Sequence, residues 1–475
     1  MSRRYAVRMG AHHEDALHGH LFQDDQDEHG ALLLAAPVEL QGVTQLLVRE
    51  VELLSPEDFG PGVHGYRQIA PLRIAEWANR AAEAGLMFIS AHSHPLARDT
   101  VGLSGDDLNA HQRLFPHLVD LTGAPVIGMV FGQESAAGEV WTSGSPPADV
   151  DHVVVLDHRL RRLTATASEV GAGQAEGRFD RQVRLFGADG QRRLGAMHVG
   201  VIGAGGGGSM IIEELAHLGV GGITAVDFDV VKVHNLSRIV GARRRDARFR
   251  RKKVKVARRH ARSINPRITF NSLDADVSSN EAVEALKHCD FLFLAGDSHT
   301  SRLVFNALGH VFLIPGVQIG AKVETANGQV TTAYTAVRPV WPHSGCLVCQ
   351  QLVDPFVLQQ EALSEDEREA QNYLGTPEVV DPSVITLNAQ AVAGAMNTFL
   401  FAAIGLAEPD ILDHRLTFPA SGETMEITPR REPGCRWCGN HEESALATGD
   451  IARLPIRHVS SGPRDRWKLL DRLRH

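Results

Sequence analysis

At 475 residues the chain is too long for one compact core, and at about 150 residues per domain it predicts two or three domains. A hydrophobic content of 43% and a charged content of 22% are those of an ordinary globular protein and not of a disordered chain. The net charge of −9 argues against a nucleic-acid-binding protein.

The first third of the chain has a mixed α and β pattern. Its start has no apolar segment of signal-peptide length, so we expect a cytoplasmic protein. Alternation and helical spacing predict strands at 31–36, 44–53, 86–92 and 126–131, and helices at 72–84 and 106–118. Residues 144–147 (Gly-Ser-Pro-Pro) interrupt regular structure, and 171–177 have linker composition. We predict a mixed α/β domain at 1–150 and a linker at 151–177.

Strands and helices alternate in the remainder of the chain. The predicted strands are 199–202, 223–226 and 291–295, and the predicted helices are 208–218 and 253–263. This alternation indicates a Rossmann-like domain at 178–445 with a mostly parallel sheet. A tail at 446–475 follows, and its amphipathic part, 464–470, is expected to pack onto the body of the protein.

Two stretches allow two interpretations each. Twelve Lys or Arg residues lie between 243 and 262, which is typical of a solvated helix face but also of a phosphate or partner contact. Residues 384–407 carry no charge and are long enough to span a bilayer. The polar residues Asn388, Gln390 and Asn397 favour a buried or interface helix, so we expect no membrane association.

Four of the five cysteines form two C-x-x-C pairs, Cys346 with Cys349 and Cys435 with Cys438. Without an export signal, this spacing favours a metal site over disulfides and predicts a structural zinc held by four thiolates. The fifth, Cys289, precedes an apolar run and is predicted to be a core thiol.

A hydrolytic zinc site is predicted in the first domain. His92 and His94 are two residues apart at a strand end, so their side chains point the same way. Asp107 would be the third ligand and water the fourth, which is the open geometry of catalytic zinc. Ser104 would stabilise the oxyanion of a tetrahedral intermediate.

The run His92-Ser93-His94-Pro95, followed by Ser104 and Asp107, resembles the JAB/MPN (JAMM) metalloprotease family of isopeptidases. The resemblance implies an upstream glutamate as general base, for which Glu28 is the first candidate and Glu39 the second. The spacer before Ser104 is two residues longer than the commonest form of the motif. A degenerate copy that does not cleave therefore remains an alternative.

A phosphate site is predicted in the second domain. The turn from Gly203 to Ser209 (GAGGGGS) lies between a strand and a helix, where backbone N–H groups can approach a phosphate. Asp227, at the end of the next strand, would accept hydrogen bonds from ribose hydroxyls. The cations Arg238 and Lys253 and the carboxylate Asp297 follow in the sequence. They favour ATP-dependent adenylation over hydride transfer, because adenylation needs charges that neutralise the triphosphate and hold magnesium.

The order of these residues, from Arg178 to Cys435, resembles the ThiF/MoeB/HesA superfamily, the adenylation domain of ubiquitin-like-protein activating enzymes. The resemblance implies a homodimer in which Arg181 reaches into the partner's nucleotide site, with Arg238 and Lys253 also catalytic. The implied cofactors are ATP and Mg²⁺, with Asp297 as the magnesium ligand. The implied ATP-binding residues are Gly203, Gly205, Gly206, Gly208, Ser209, Asp227, Asp229, Asn235, Arg238, Lys253 and Asp297.

One feature departs from the activating enzymes that form a thioester. No cysteine lies between 350 and 434, which excludes a thioester in the usual crossover segment. Thr376 and Ser383 lie in that segment, but hydroxyls are weak nucleophiles unless they are activated. Whether either takes the place of the cysteine is left open.

These features predict adenylation of the C-terminal glycine of a ubiquitin-like or sulfur-carrier protein, coupled to trimming or deconjugation by the zinc site. A conjugating enzyme could be a further partner. The first alternative is adenylation in a sulfur-carrier pathway of thiamine, molybdopterin or cysteine synthesis. The second is a binding scaffold with a degenerate first domain.

Overall fold

The computed structural model describes residues 3–40, 42–59, 69–167, 177–326, 329–342, 344–363 and 382–456. These residues form two units, each built on an eight-stranded sheet. The first unit extends from residue 4 to residue 163, and the second from residue 180 to residue 427. Residues 464–470 and Thr376, on which predictions were made, lie outside the described residues.

Among the described residues, the first unit contains eight strands and three α-helices. Its strands are β1 (Arg4–Gly10), β2 (Gly30–Leu40), β3 (Val43–Leu53), β4 (Met87–Ser93), β5 (Val126–Phe131), β6 (Ala136–Trp141), β7 (Ala148–Leu156) and β8 (Leu160–Leu163). Its helices are α1 (Ala11–Leu21), α2 (Pro71–Ala84) and α3 (Gly105–Thr122). The four predicted strands and two predicted helices are confirmed.

The sheet of the first unit closes on itself. β1 pairs in parallel with both β3 and β7, so seven strands form a closed barrel, and β8 lies outside the barrel against β7. β7 and β8 extend past residue 150, where the first domain is predicted to end, and their segment belongs to the sheet instead of the linker. Of the predicted linker, residues 168–176 lie outside the described residues.

β2 explains why the 31–36 run is continuously apolar. Leu33 and Ala35 pack into the barrel interior, whereas Leu32 and Leu34 face the outer core that contains helix residues such as Trp77. Alternate residues of a strand point to opposite faces, so a strand covered on both faces needs apolar residues at every position.

The second unit follows the Rossmann pattern in its first half. Its strands are β9 (His198–Ile202), β10 (Gly222–Val226), β11 (Thr269–Leu273), β12 (Phe291–Leu294), β13 (Gly316–Ala326), β14 (Gln329–Val340), β15 (His414–Phe418) and β16 (Glu423–Ile427). Its helices are α4 (Asp180–Ala196), α5 (Gly206–Leu218), α6 (Arg244–Arg248), α7 (Lys253–Ile264), α8 (Asn280–Leu286), α9 (His299–Val311), α10 (Pro355–Ala362) and α11 (Ile385–Ile404).

The strand order of this sheet is β11-β10-β9-β12-β13-β14-β15-β16. The first five strands are parallel, and the last three join by antiparallel pairing. The predicted parallel sheet is therefore confirmed for one half, and an antiparallel extension that was not predicted forms the other half.

α11 is the apolar helix at 384–407. Among the described residues, α11 is the one helix whose length and apolar composition would allow it to cross a membrane. Its residues Val392, Ala395 and Phe399 are buried in the core of the second unit, where Phe399 contacts Phe291 and Phe293. The helix is thus part of the core, as the interpretation of a buried helix predicts.

The two units pack against each other directly. Arg49 of β3 donates to the backbone carbonyls of Ser444 (3.1 Å) and Leu446 (2.9 Å), in a segment that follows the second sheet. The N–H of Ala447 in the same segment donates to the carbonyl of His310 in α9 (2.9 Å). The first residues of the predicted tail therefore lie between the barrel and the second unit.

Candidate active sites

The predicted nucleotide site lies at one edge of the second sheet. β10 and β12 flank β9 on opposite sides, so the chain reverses its direction of winding there and leaves a crevice at the carboxyl ends of the strands. Gly203 follows β9 with φ +91°. A Cβ atom on Gly203 would lie 3.0 Å from the nitrogen of Gly296, so glycine allows the loops after β9 and β12 to meet.

The glycine-rich loop is held in place by Asp227. The Asp227 carboxylate accepts hydrogen bonds from the N–H groups of Ala204 (2.7 Å) and Asp229 (2.8 Å). Burial raises the pKa of this carboxyl, although Lys253 opposes the shift. A Cβ atom on Gly208 would overlap the carbonyl oxygen of Gly203, so α5 can begin directly against the strand end.

Cationic side chains line the same crevice. Lys253 begins α7, and its Nζ atom is 2.6 Å from Asp229 Oδ2 and 3.8 Å from Asp227 Oδ2. Arg238 donates to the carbonyl of His234 (3.1 Å), and its Cδ would lie 3.4 Å from a Cβ on Gly206. These groups place two cations beside the loop predicted to bind phosphate.

Ser209 and Asn235 hold the backbone of the site. The Ser209 hydroxyl accepts from the N–H of Val240 (3.0 Å) and donates to the carbonyl of Gly206 (3.0 Å). The Asn235 side chain is buried and accepts from the N–H of Lys232 (2.9 Å). These bonds support the loops around the crevice and do not test whether Ser209 and Asn235 bind phosphate. Their role as phosphate ligands therefore stays a prediction.

The remaining predicted residues lie on separate elements. Asp297 is exposed in the loop after β12, at the same edge as the glycine-rich loop. Arg181 is exposed on the first turn of α4, and its place in a partner's site stays a prediction. Ser383 is exposed just before α11, where its hydroxyl accepts from the Asn388 amide (3.4 Å).

Glu361 contacts the helix that follows the Asp297 loop, and the sequence patterns did not indicate this contact. Its carboxylate accepts from the N–H groups of His299 (2.9 Å) and Thr300 (2.8 Å) at the N-terminus of α9. Carboxylates are favourable there because the first N–H groups of a helix have no partner within it. Glu361 lies about sixty positions away in the sequence, and no local motif indicates such a contact.

The predicted zinc residues of the first unit converge on one point. Ligand atoms of His92, His94 and Asp107 all lie within 4.8 Å of one another. Asp107 Oδ1 is 3.2 Å from His92 Nε2, and Asp107 Oδ2 is 3.5 Å from His94 Nε2. Among the described residues, the buried Nε2 of His92 makes no hydrogen bond, which leaves it available to a metal. The set fits a zinc ion.

The electrostatics of these residues suit a cation. Burial would raise the pKa of the Asp107 carboxyl, but the two imidazoles outweigh burial and hold it well below its ordinary value. The interaction with Asp107 in turn raises the pKa of His94. An ionised carboxylate therefore faces two imidazoles. Metal ions bind to ionised carboxylates and to neutral imidazoles, so the three side chains can ligate a metal once the histidines have lost their protons.

The structure places Glu28, and not Glu39, near the histidines. Gly30 of β2 pairs with His92 of β4, so the residues just before β2 lie beside the histidines. Glu28 Oε1 is 3.8 Å from His94 Nε2, and burial raises the pKa of this carboxyl. Glu39 lies near the other end of β2 and forms an ion pair with Arg3. Of the two candidates, Glu28 is therefore the one near the histidines, and its role as a base stays a prediction.

The long spacer before Ser104 does not displace Asp107. Ser104 caps α3, where its hydroxyl accepts from the N–H of Asp107 (3.1 Å) and its own N–H donates to Asp107 Oδ2 (2.7 Å). The spacer is tied down by backbone bonds from Gln133 to the carbonyl of Ala97 (3.0 Å) and from Val101 to the carbonyl of Ala165 (2.9 Å). The two additional residues are accommodated in this loop.

The two C-x-x-C pairs meet in space. Cys346 Sγ lies 3.6 Å from the sulfurs of Cys349 and Cys435, and Cys349 Sγ lies 3.5 Å from that of Cys438. Four sulfurs bound to zinc at about 2.3 Å would be about 3.8 Å apart, so the cluster fits a zinc ion with a small expansion. Cys289 is buried in the core, as predicted.

Comparison with known proteins agrees with the architecture of the second unit. Residues 179–437 match the ThiF family model. The SAMP-activating enzyme E1 of Haloferax volcanii is 30% identical over 267 residues, which cover 55% of this chain and 88% of that protein. The sulfur carrier protein adenylyltransferase of Thermus thermophilus is 24% identical over 277 residues, covering 55% of this chain and 90% of that protein.

A third relative is matched over a shorter region. The molybdopterin-synthase adenylyltransferase of Haemophilus influenzae is 34% identical over 127 residues, which cover 26% of this chain and only 51% of the relative. The family match, in contrast, spans more than half of the 475 residues and includes the glycine-rich loop and three of the four paired cysteines. The chain therefore belongs to the ThiF family.

Proposed function

We propose that a domain at 178–445 uses ATP to adenylate the C-terminal glycine of a small carrier protein, in a sulfur-carrier pathway. The observation that supports this most strongly is the meeting of Arg238, Lys253 and the Asp297 loop with the glycine-rich loop at one sheet edge. The names of the three relatives also support it, since each describes adenylation or activation, and two name a carrier or molybdopterin synthase.

The chemistry assigns a task to each group. A carboxylate oxygen of the carrier attacks the α-phosphorus of ATP, the bond to the β-phosphate oxygen breaks, and pyrophosphate leaves. Lys253 and Arg238 would neutralise the charge that develops on the phosphates. Asp297 would hold the magnesium ion, whose charge stabilises the same phosphates when it is bound. Asp227 and Asp229 would contact the ribose.

The acyl-adenylate is the proposed final product on this chain. No cysteine lies between 350 and 434, and the Ser383 hydroxyl accepts from an amide that cannot remove its proton. The acyl group would then pass to a nucleophile of another molecule. Transfer through a conjugating enzyme is the second candidate, supported by a relative named as an activating enzyme E1.

We propose that the first unit is a JAB/MPN-like hydrolase that acts on the same carrier. His92, His94 and Asp107 would hold zinc, which when bound supplies a water molecule of lowered pKa. Glu28 would accept the proton of that water, and Ser104 would stabilise the oxyanion. Such a site would trim residues beyond the carrier's glycine or cleave an isopeptide bond, and the convergence of the three ligands supports this proposal.

The homodimer, the conjugating enzyme and the cytoplasmic location remain predictions. A binding scaffold with an inactive first unit is the alternative to the hydrolase. The position of Glu28 next to His94 favours the hydrolase, because a scaffold has no need for a half-buried carboxylate of raised pKa beside three converging ligand groups.

The adenylation proposal predicts exchange of labelled pyrophosphate into ATP that depends on a carrier protein ending in Gly-Gly. The partial reaction is reversible, so label enters ATP only when an acyl-adenylate forms. The matched control is the same carrier without its two terminal glycines, which should give background exchange. Equal exchange with both carriers, or none with candidate carriers of either pathway, would contradict the proposal.

The hydrolase proposal predicts that Glu28→Gln abolishes trimming of a carrier that is extended by several residues past its glycine. Mass spectrometry of the carrier after incubation with zinc-loaded enzyme measures the loss. Glu39→Gln is the control and should trim like the wild type, since Glu39 lies near the other end of β2. An unchanged tail with the wild-type enzyme would favour the scaffold.

A further inference from the structure

Asn388 lies at the nucleotide crevice although it belongs to an apolar helix. It is on the first turn of α11, and its side chain is half-buried. A Cβ atom on Gly206 would collide with Asn388 Nδ2, so this amide rests directly on the backbone of the glycine-rich loop. Because no larger residue fits between them, Gly206 and Asn388 form one surface.

Arg238 flanks Gly206 together with Asn388. The same hypothetical Cβ would lie 3.4 Å from Arg238 Cδ. Gly206 is the first residue of α5, where the initial N–H groups have no partner within the helix and favour anions. An anion above Gly206 would therefore lie within reach of the helix N-terminus, of a guanidinium and of the Asn388 amide.

The amide of Asn388 has hydrogen-bonding capacity left for a ligand. Its Nδ2 atom carries two hydrogens, and the bond to Ser383 Oγ is long, at 3.4 Å. The other polar residues of α11 are placed differently. Gln390 accepts from Thr335 (3.5 Å), and Asn397 is exposed more than two helical turns away.

We infer that Asn388 is a further nucleotide-binding residue, whose side-chain amide donates a hydrogen bond to a phosphate oxygen of ATP at Gly206. The inference rests on the proposed adenylation and adds a neutral donor to the cations Arg238 and Lys253.

The test measures nucleotide binding instead of turnover. Isothermal titration of the full chain with a non-hydrolysable ATP analogue and Mg²⁺ gives the Kd for wild type, Asn388→Ala, Asn388→Asp and Asn397→Asp. We expect Asn388→Ala to weaken binding about tenfold, as loss of a hydrogen bond to a charged group does. Asn388→Asp should weaken it further, because a carboxylate repels phosphate.

Asn397→Asp is the matched control, since it makes the same chemical change on the exposed face of the same helix. It should bind the analogue within about twofold of wild type, as expected for a surface change remote from the ligand. Wild-type affinity for the analogue in Asn388→Asp, or an equal loss of affinity in Asn397→Asp, would overturn this inference but not the proposed adenylation. A wild-type chain that binds no ATP analogue would overturn the proposed adenylation as well.

Discussion

Replacing Lys253 with methionine is expected to lower the rate of carrier adenylation by about 100- to 1,000-fold. The Lys253 side chain is only 12% exposed and faces the carboxylates of Asp227 and Asp229. Methionine keeps the length of the side chain but removes the charge. Two carboxylates would then face the triphosphate without this compensating cation, and the charge that develops as pyrophosphate leaves would lose a donor.

Carrier-dependent pyrophosphate exchange at saturating ATP measures this effect. Lys255→Met is the control, because Lys255 is exposed on the same helix and forms no ion pair with the residues that the structure describes. The control should retain the wild-type rate within about twofold. Exchange by Lys253→Met at more than a third of the wild-type rate would show that Lys253 does not act on the phosphates.

The sequence was sufficient to predict those features that depend on local patterns. Strand β9 and helix α7 follow from short apolar runs and helical spacing, and the two groups of candidate metal ligands follow from fixed spacings along the chain. The glycine-rich loop could be located in the same way, because the need for glycine at Gly208 arises from its close approach to the carbonyl of Gly203 within one turn.

Closure of the barrel could not be predicted in this way. It depends on parallel pairing of β1 with β7, for example Val7 with Val153, which are far apart in the sequence. The β7 segment follows the Gly-Ser-Pro-Pro break and therefore looked like the start of a linker. Contacts of this kind, including that of Glu361 with α9, depend on tertiary structure and leave no local periodicity.

The basic run at 243–262 combines features of both interpretations. The buried carboxylate of Asp246 binds Arg259 at 2.8 Å and lies 3.7 Å from Arg251, so part of the charge is structural. Lys253 lies at the predicted nucleotide site, and Lys252 pairs with Asp274 at 2.8 Å. The run therefore supplies one predicted phosphate contact and several internal ion pairs in addition to a solvated face.

The second large effect is expected on the free energy of unfolding, and it arises at the contact between the two units. Arg8 of β1 is 4% exposed, and burial lowers the pKa of its guanidinium. It donates to the backbone carbonyls of Phe312 (3.5 Å) and Leu313 (3.3 Å) and lies 3.6 Å from Asp290 Oδ1. Asp290 in turn accepts from the N–H of His198 (2.9 Å), where β9 begins. One side chain thus connects the barrel to the strand that carries the glycine-rich loop.

Arg8→Ala is expected to lower the free energy of unfolding by about 2–4 kcal/mol, because two carbonyls lose their donor and Asp290 loses its ion-pair partner where Arg8 is buried between the units. Urea denaturation of the full chain, followed at the first unfolding transition, measures the change. Arg4→Ala is the control on the same strand, since the Arg4 side chain is 63% exposed and 3.9 Å from Asp151. It should cost less than about 0.5 kcal/mol. Equal effects of the two substitutions would show that Arg8 does not hold the units together.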